Sequence, residues 1–242
     1  AVTRSRALAL ADTGTVLHGA SAADLRVSFV RPVDLQVAAS VAEDRFVVAG
    51  DEGFLAFVRV DATGALAVEP ADLQDPWDVR CGSRFAGGVY LSGQGGRLLR
   101  VRDGEGGIEE IEAFRRLVRG VVVRSIAHLS DQVFFVQRLD GSVHRLDLAA
   151  GTVTEIEAKG EALLFGDHGR AYVAKGAVLH RLALQGPADP GTDLSPFFAT
   201  AGERASCGVV RASGEVLVGG TRGSIVLLGD GKTPQGFQCG AY

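Results

Sequence analysis

The side chains able to do chemistry in this 242-residue sequence are present but dispersed. Five histidines, His18, His128, His144, His168 and His180, fall in different stretches of the chain. None stands at ligand spacing from a second histidine or cysteine, so the pattern predicts no metal and no cofactor. His144 and His180 are each followed by Arg-Leu, as equivalent places in a repeat would be. The three cysteines, Cys81, Cys207 and Cys239, are too few and too far apart for a zinc site or a disulfide framework, and Cys81 and Cys207 are expected to be small buried strand residues. There is no Gly-x-Ser-x-Gly elbow for a nucleophile. Gly93-Gln94-Gly95-Gly96 lacks the following helix that would make it a phosphate cradle, and reads as a hairpin turn. The one constellation suited to an enzyme is acidic: Asp34, Asp78 and Glu161 each fall at or near the start of a predicted innermost strand. A hydrolase or lyase with an acidic site at a central channel is therefore the alternative function.

A second group of residues suits binding better than catalysis. Three long connections carry Asp72, Asp75 and Trp77, then Phe114, Arg115 and Arg116, then Asp193, Phe197 and Phe198. Exposed aromatics beside arginine are the usual anchors of protein interfaces. Trp77, Phe114, Arg115, Arg116, Phe197 and Phe198 are accordingly the predicted binding residues of a non-catalytic interaction or scaffold module, with a protein or peptide as partner. The other role open to the aromatics is to plug the ends of the sheets beneath those loops.

What must position these loops is a repeat. Six times the sequence runs three mostly apolar residues, a mostly small residue, a polar or Gly-rich turn and a second alternating strand. The copies begin at Val16, Phe46, Val89, Val133, Ala171 and Val216. After a first interval of 30 residues the spacing is 38 to 45, the length of a four-stranded blade. Each copy follows a short apolar strand and a tight turn, such as Gly87-Gly88 or His168-Gly169, and usually ends at another, such as Asp103-Gly104 or Ala150-Gly151. Helical periodicity is confined to Glu109–Val118, bracketed by glycines.

The strand, turn, strand and Asp-Ala-Thr-Gly of residues 46–64, and Leu139-Asp140-Gly141 through Gly151, resemble the repeats of WD40 and quinoprotein-type propellers. The resemblance implies a propeller architecture, and the six copies at blade length make it an all-β fold, a six-bladed β-propeller of mostly four-stranded antiparallel blades, formed by residues 1–242 as a single domain. It also implies that the loops leading from the fourth strand of one blade to the first of the next share a face with the turns between second and third strands. The long connections at Glu69–Trp77, Glu112–Val118 and Ala188–Glu203 would all lie there.

Composition narrows the partners. A net charge of −4, with basic and acidic residues interspersed, gives no broad basic field, so no nucleic-acid partner is expected. No apolar run approaches the roughly 20 residues of a membrane-spanning helix, and the chain is expected to be soluble. It has no Asn and only three lysines, Lys159, Lys175 and Lys232, among 25 basic residues, a bias typical of GC-rich bacterial genomes. The absence of Asn also removes any N-linked glycosylation acceptor. The short first interval has a consequence of its own. With a third strand over Leu25–Val30 and the next first strand near Asp34, blade 1 has no room for a fourth strand. Its edge is expected to invite β-augmentation by a partner, while the tail from Pro234 completes the last blade.

Overall fold

The computed structural model describes residues 7–10, 15–19, 26–30, 33–61, 63, 65–71, 73, 75–102, 107–157, 162–183, 190–229 and 233–238. The chain divides into two compact units, residues 1–124 and 125–242. Within each sheet, strands adjacent in sequence lie side by side. The first unit holds β1 (Ala7–Leu10), β2 (Thr15–Gly19) and β3 (Arg26–Val30), then β4 (Leu35–Ser40), β5 (Arg45–Gly50), β6 (Leu55–Val60) and β7 (Leu66–Pro70). It continues with β8 (Val79–Phe85), β9 (Gly88–Gly93), β10 (Leu98–Arg102), β11 (Ile108–Glu110) and one helix, α1 (Glu112–Val118). In the second unit, which β12 (Val123–His128) enters, come β13 (Val133–Arg138), β14 (Val143–Asp147) and β15 (Thr152–Glu157). There follow β16 (Ala162–Asp167), β17 (Arg170–Lys175), β18 (Val178–Leu182), β19 (Thr192–Asp193), β20 (Ala205–Val210), β21 (Val216–Gly220), β22 (Ser224–Leu228) and β23 (Gln235–Gln238).

The sheets have a propeller arrangement, and five of them are four-stranded blades: β4–β7, β8–β11, β12–β15, β16–β19 and β20–β23. The expected six-bladed count is corrected by this: the propeller has five blades, because among the described residues the sheet β1-β2-β3 has only three strands. All six repeat copies do form second strands, β2, β5, β9, β13, β17 and β21. A second strand does not guarantee a fourth, however, and residues 31–34 carry the chain from β3 directly into β4. At the other end β23 pairs with β22 and completes its blade.

The repeat is apolar because the second strand is buried on both faces. In β5, Phe46 and Val48 pack with Leu8, Val16 and Leu35, while Val47 and Ala49 pack the opposite way with Trp77, Val79 and Leu91. In β17, Ala171 and Val173 meet Phe135 and Leu164, while Tyr172 and Ala174 meet Leu194, Phe198 and Val218. Period-two alternation thus becomes a continuous apolar run, since each face serves a different neighbouring sheet. Where the second strand ends, the chain passes close to the residue that opens the first strand. A Cβ on Gly50 would lie 2.1 Å from the Asp34 carbonyl oxygen, and one on Gly93 2.2 Å from that of Asp78. Glycine there lets the amides of Asp51 and Gln94 donate to those carbonyls at 3.0 Å each. The helical stretch expected from Glu109 begins at Glu112, because Ile108–Glu110 pair with β10 first.

Candidate functional site

In both units the loops that enter a blade are tied to turns between second and third strands, which places these two loop classes on one side of the sheets. In the first unit the amide of Glu52 donates to Asp78 Oδ1 at 3.0 Å, and that of Gly120 to the Gly95 carbonyl at 3.3 Å. In the second, Glu203 accepts from the amides of Arg222 at 2.9 Å and Ser224 at 3.1 Å.

The predicted binding residues separate into anchors and exposed groups. Trp77 is buried in the core between β5, β6 and β9, and Phe114, on α1, is fully buried. Phe198 is buried with Leu194 and Tyr172, while Phe197 is half-buried at the rim of the same cluster. Arg116 is exposed and the Arg115 side chain is 42% exposed. Burial of Trp77, Phe114 and Phe198 follows from local geometry. Each ends or interrupts a connection that must cross the end of a sheet, where open apolar surface remains to be covered.

Above Trp77 lies a charged network. The Arg97 guanidinium carbon sits 5.5 Å from the Trp77 ring centroid. Its Nε and Nη2 donate to the two carboxylate oxygens of Glu110 at 3.0 and 2.6 Å, and its Nη1 to Asp75 Oδ2 at 3.0 Å. Arg115 Nη1 approaches Glu110 at 3.5 Å. The hydrogen bonds to Glu110 raise the Arg97 pKa further, so Arg97 keeps its positive charge. Bidentate pairing fixes Arg97, and through it the loop carrying Asp75. Beneath α1 the fit is close: a Cβ on Gly96, at φ +68°, would lie 2.0 Å from the Val118 carbonyl oxygen. Sequence reasoning singled out Asp75, Trp77 and Arg115 but missed Arg97 and Glu110. Their connection lies only in the register that sets β10 against β11.

The acidic constellation is partly engaged elsewhere. Asp34 and Asp78 immediately precede β4 and β8, and Glu161 lies outside the described residues. Asp78 accepts from the Glu52 amide with one oxygen and from Arg80 Nη2, at 3.0 Å, with the other. Arg80 also reaches Asp51 Oδ1 at 3.2 Å. Burial raises the Asp51 pKa, Arg80 opposes this, and Asp78, Asp34 and Glu52 add to it.

Among the described residues no three His, Cys, Asp or Glu side chains group as a metal site. His128 is fully buried and stacked on Phe134 at 5.3 Å between centroids, and burial pushes its pKa down to about 3. His144 Nε2 lies 2.9 Å from Ser142 Oγ. Cys81 is half-buried and its thiol shares 3.5 Å with the Ser92 carbonyl oxygen; burial pushes the thiol pKa up. Cys207, expected to be buried, is exposed on β20, a strand that ends its sheet.

No protein-family model matches the chain, and no curated protein does. Solved structures do. The chain is similar to Raptor of Chaetomium thermophilum, with a TM-score of 0.70 and 10% identity over 97% of this chain and 24% of Raptor. It is similar to the C-terminal WD40 domain of Sif2, with a TM-score of 0.55 and 13% identity over 92% of this chain and 66% of that one. It is also similar to YCF48 bound to the D1 peptide, with a TM-score of 0.54 and 16% identity over 85% of this chain and 68% of that one. The chain thus spans about a quarter of Raptor and about two thirds of the other two. At such identities the likeness concerns the fold: WD40 and other β-propeller domains are its structural neighbours.

Proposed function

We propose that this chain is a non-catalytic interaction module that binds a protein or peptide through the loops on the blade-entry side. The observation that carries the proposal is the construction of those loops. Among the described residues of the long connections Trp77, Phe114 and Phe198 are buried, while beside them Arg116 is exposed and Arg115 and Phe197 are half-buried. A surface held in one conformation binds without the entropic cost of ordering it. Arg115 and Arg116 in the first unit and Phe197 in the second are the groups each offers for contact, and Trp77, Phe114 and Phe198 act from below as supports. That a propeller of similar fold is known bound to a peptide supports the same reading. The hydrolase or lyase alternative draws less support, because Asp78 spends both oxygens on the Glu52 amide and Arg80.

The test is selection of a displayed library of random twelve-residue peptides on the immobilised full chain. Peptides should enrich, and Arg115→Glu combined with Arg116→Glu should weaken those bound on the loop side by about tenfold, a typical loss for interface arginines. The melting temperature should fall by no more than about 4 °C, since Arg116 is exposed and Arg115 gives up one ion pair near the surface, with Glu110. A library that yields no binder, or binders all indifferent to the double variant, would overturn the assignment to these loops.

A further inference from the structure

In each of the five blades the third strand is covered on its outer side: β6 by β7, β10 by β11, β14 by β15, β18 by β19 and β22 by β23. Among the described residues β3 is the exception, hydrogen-bonded to β2 and to no second strand. Its connection to β4 is four residues long, too short to supply a strand that runs back along it. Val27 on this strand is 66% exposed. The segment Arg26–Val30 contains no proline, no glycine and no acidic residue, so little in it opposes pairing.

The molecule itself shows what such an edge accepts. The five fourth strands read Leu-Ala-Val-Glu-Pro, Ile-Glu-Glu, Thr-Val-Thr-Glu-Ile-Glu, Thr-Asp and Gln-Gly-Phe-Gln. All run antiparallel to the third strand. None carries a lysine or arginine, and four of the five carry an acid. Two of the blades join that acid to an arginine on an earlier strand, Glu69 to Arg45 at 3.7 Å and Glu109 to Arg100. The repeat thus defines a short extended segment, β-prone and acidic or neutral, as the natural occupant of this position.

We propose that the outer edge of β3 is a second docking site, which takes an extended acidic or neutral segment of a partner polypeptide as an antiparallel fourth strand. Main-chain hydrogen bonds supply the affinity, and an apolar residue packing near Val27 supplies selectivity. The irregular register opposite Val16 and Leu17 interrupts β3 near its middle, which favours a short partner segment over a long one. The site rests on the interaction-module reading above only for the class of partner, and it uses none of the loop residues.

The same peptide selection, read out by fluorescence anisotropy, separates the two sites. A class of enriched peptides should alternate apolar with neutral or acidic residues and lack proline at its centre. Val27→Asp, which sets a carboxylate against that strand, should weaken this class by at least about tenfold. Val27→Thr should keep affinity within about threefold, since threonine is as β-prone and as branched. Reversal of Arg115 and Arg116 should leave the class unchanged. If every peptide ignores Val27→Asp while some respond to the arginine reversal, the edge site is overturned and the loop site stands. If Val27→Asp instead splits a dimer seen by light scattering, the occupant is a second copy and the proposal is overturned. Should Val27→Asp melt more than about 5 °C lower than the parent, Val27→Glu, which sets the same charge there on a more strand-tolerant side chain and should weaken the class likewise, decides in its place.

Discussion

Glu203 keeps a full negative charge with almost no solvent contact because donors converge on its carboxylate. Burial alone would raise its pKa, but Ser224 Oγ, at 2.7 Å, and the amides of Arg222, Ser224 and Thr200 outweigh it and hold the carboxyl below the usual glutamate range. The carboxylate thereby joins the loop before β20 to the turn between β21 and β22. The folded state binds this proton less tightly than the unfolded chain does. The stabilisation is therefore complete above the unfolded pKa of roughly 4.3 and is lost as pH falls through the lower folded value. Replacing Glu203 by Gln should cost about 1.5 to 3 kcal/mol at pH 7, the range for hydrogen bonds to charged groups. Urea denaturation at pH 7 and pH 3 checks this: the gap between parent and variant should narrow at the lower pH, and an equal gap at both would show that the charge is irrelevant.

The connections between blades are where sequence and structure diverge most, and the reason is packing. Composition located the long loops, but whether an aromatic in a loop turns outward depends on what surface lies under it, and no local pattern reports that. Phe114 and Arg115 are neighbours in sequence, yet one is fully buried and the other reaches Glu110 at the surface. The Arg97–Glu110 pair was equally hidden, since thirteen residues and a strand register separate its members. Phe114→Ala should therefore act on stability, by about 3 to 5 kcal/mol, while Arg116→Ala should fall within about 0.5 kcal/mol of the parent. Chemical denaturation of the two variants side by side distinguishes anchor from contact. Comparable losses would mean that α1 is not held in place by Phe114.

For the whole molecule, the period was legible because second strands buried on both faces must be apolar at nearly every position, and Phe46 to Ala49 or Val133 to Val136 are read directly as such. The blade count was not legible in the same way. The repeat marks second strands, whereas a blade needs a fourth, and fourth strands here are largely polar and exposed and vary in length from six residues in β15 to two in β19. The same 30-residue interval that announced a shortage at the start of the chain is what reduces six repeat copies to five blades and a three-stranded sheet. This unequal construction is the central claim about the fold, and amide hydrogen exchange followed residue by residue in the free full-length chain tests it most directly. The amides of β6 and β10 that face fourth strands should be strongly protected. The alternate amides of Arg26–Val30 on the outer side of β3 should exchange faster by roughly a hundredfold or more, as expected for groups open to water. Outer amides of β3 as slow as those of β6 would show that a strand already covers that edge, and would contradict the account.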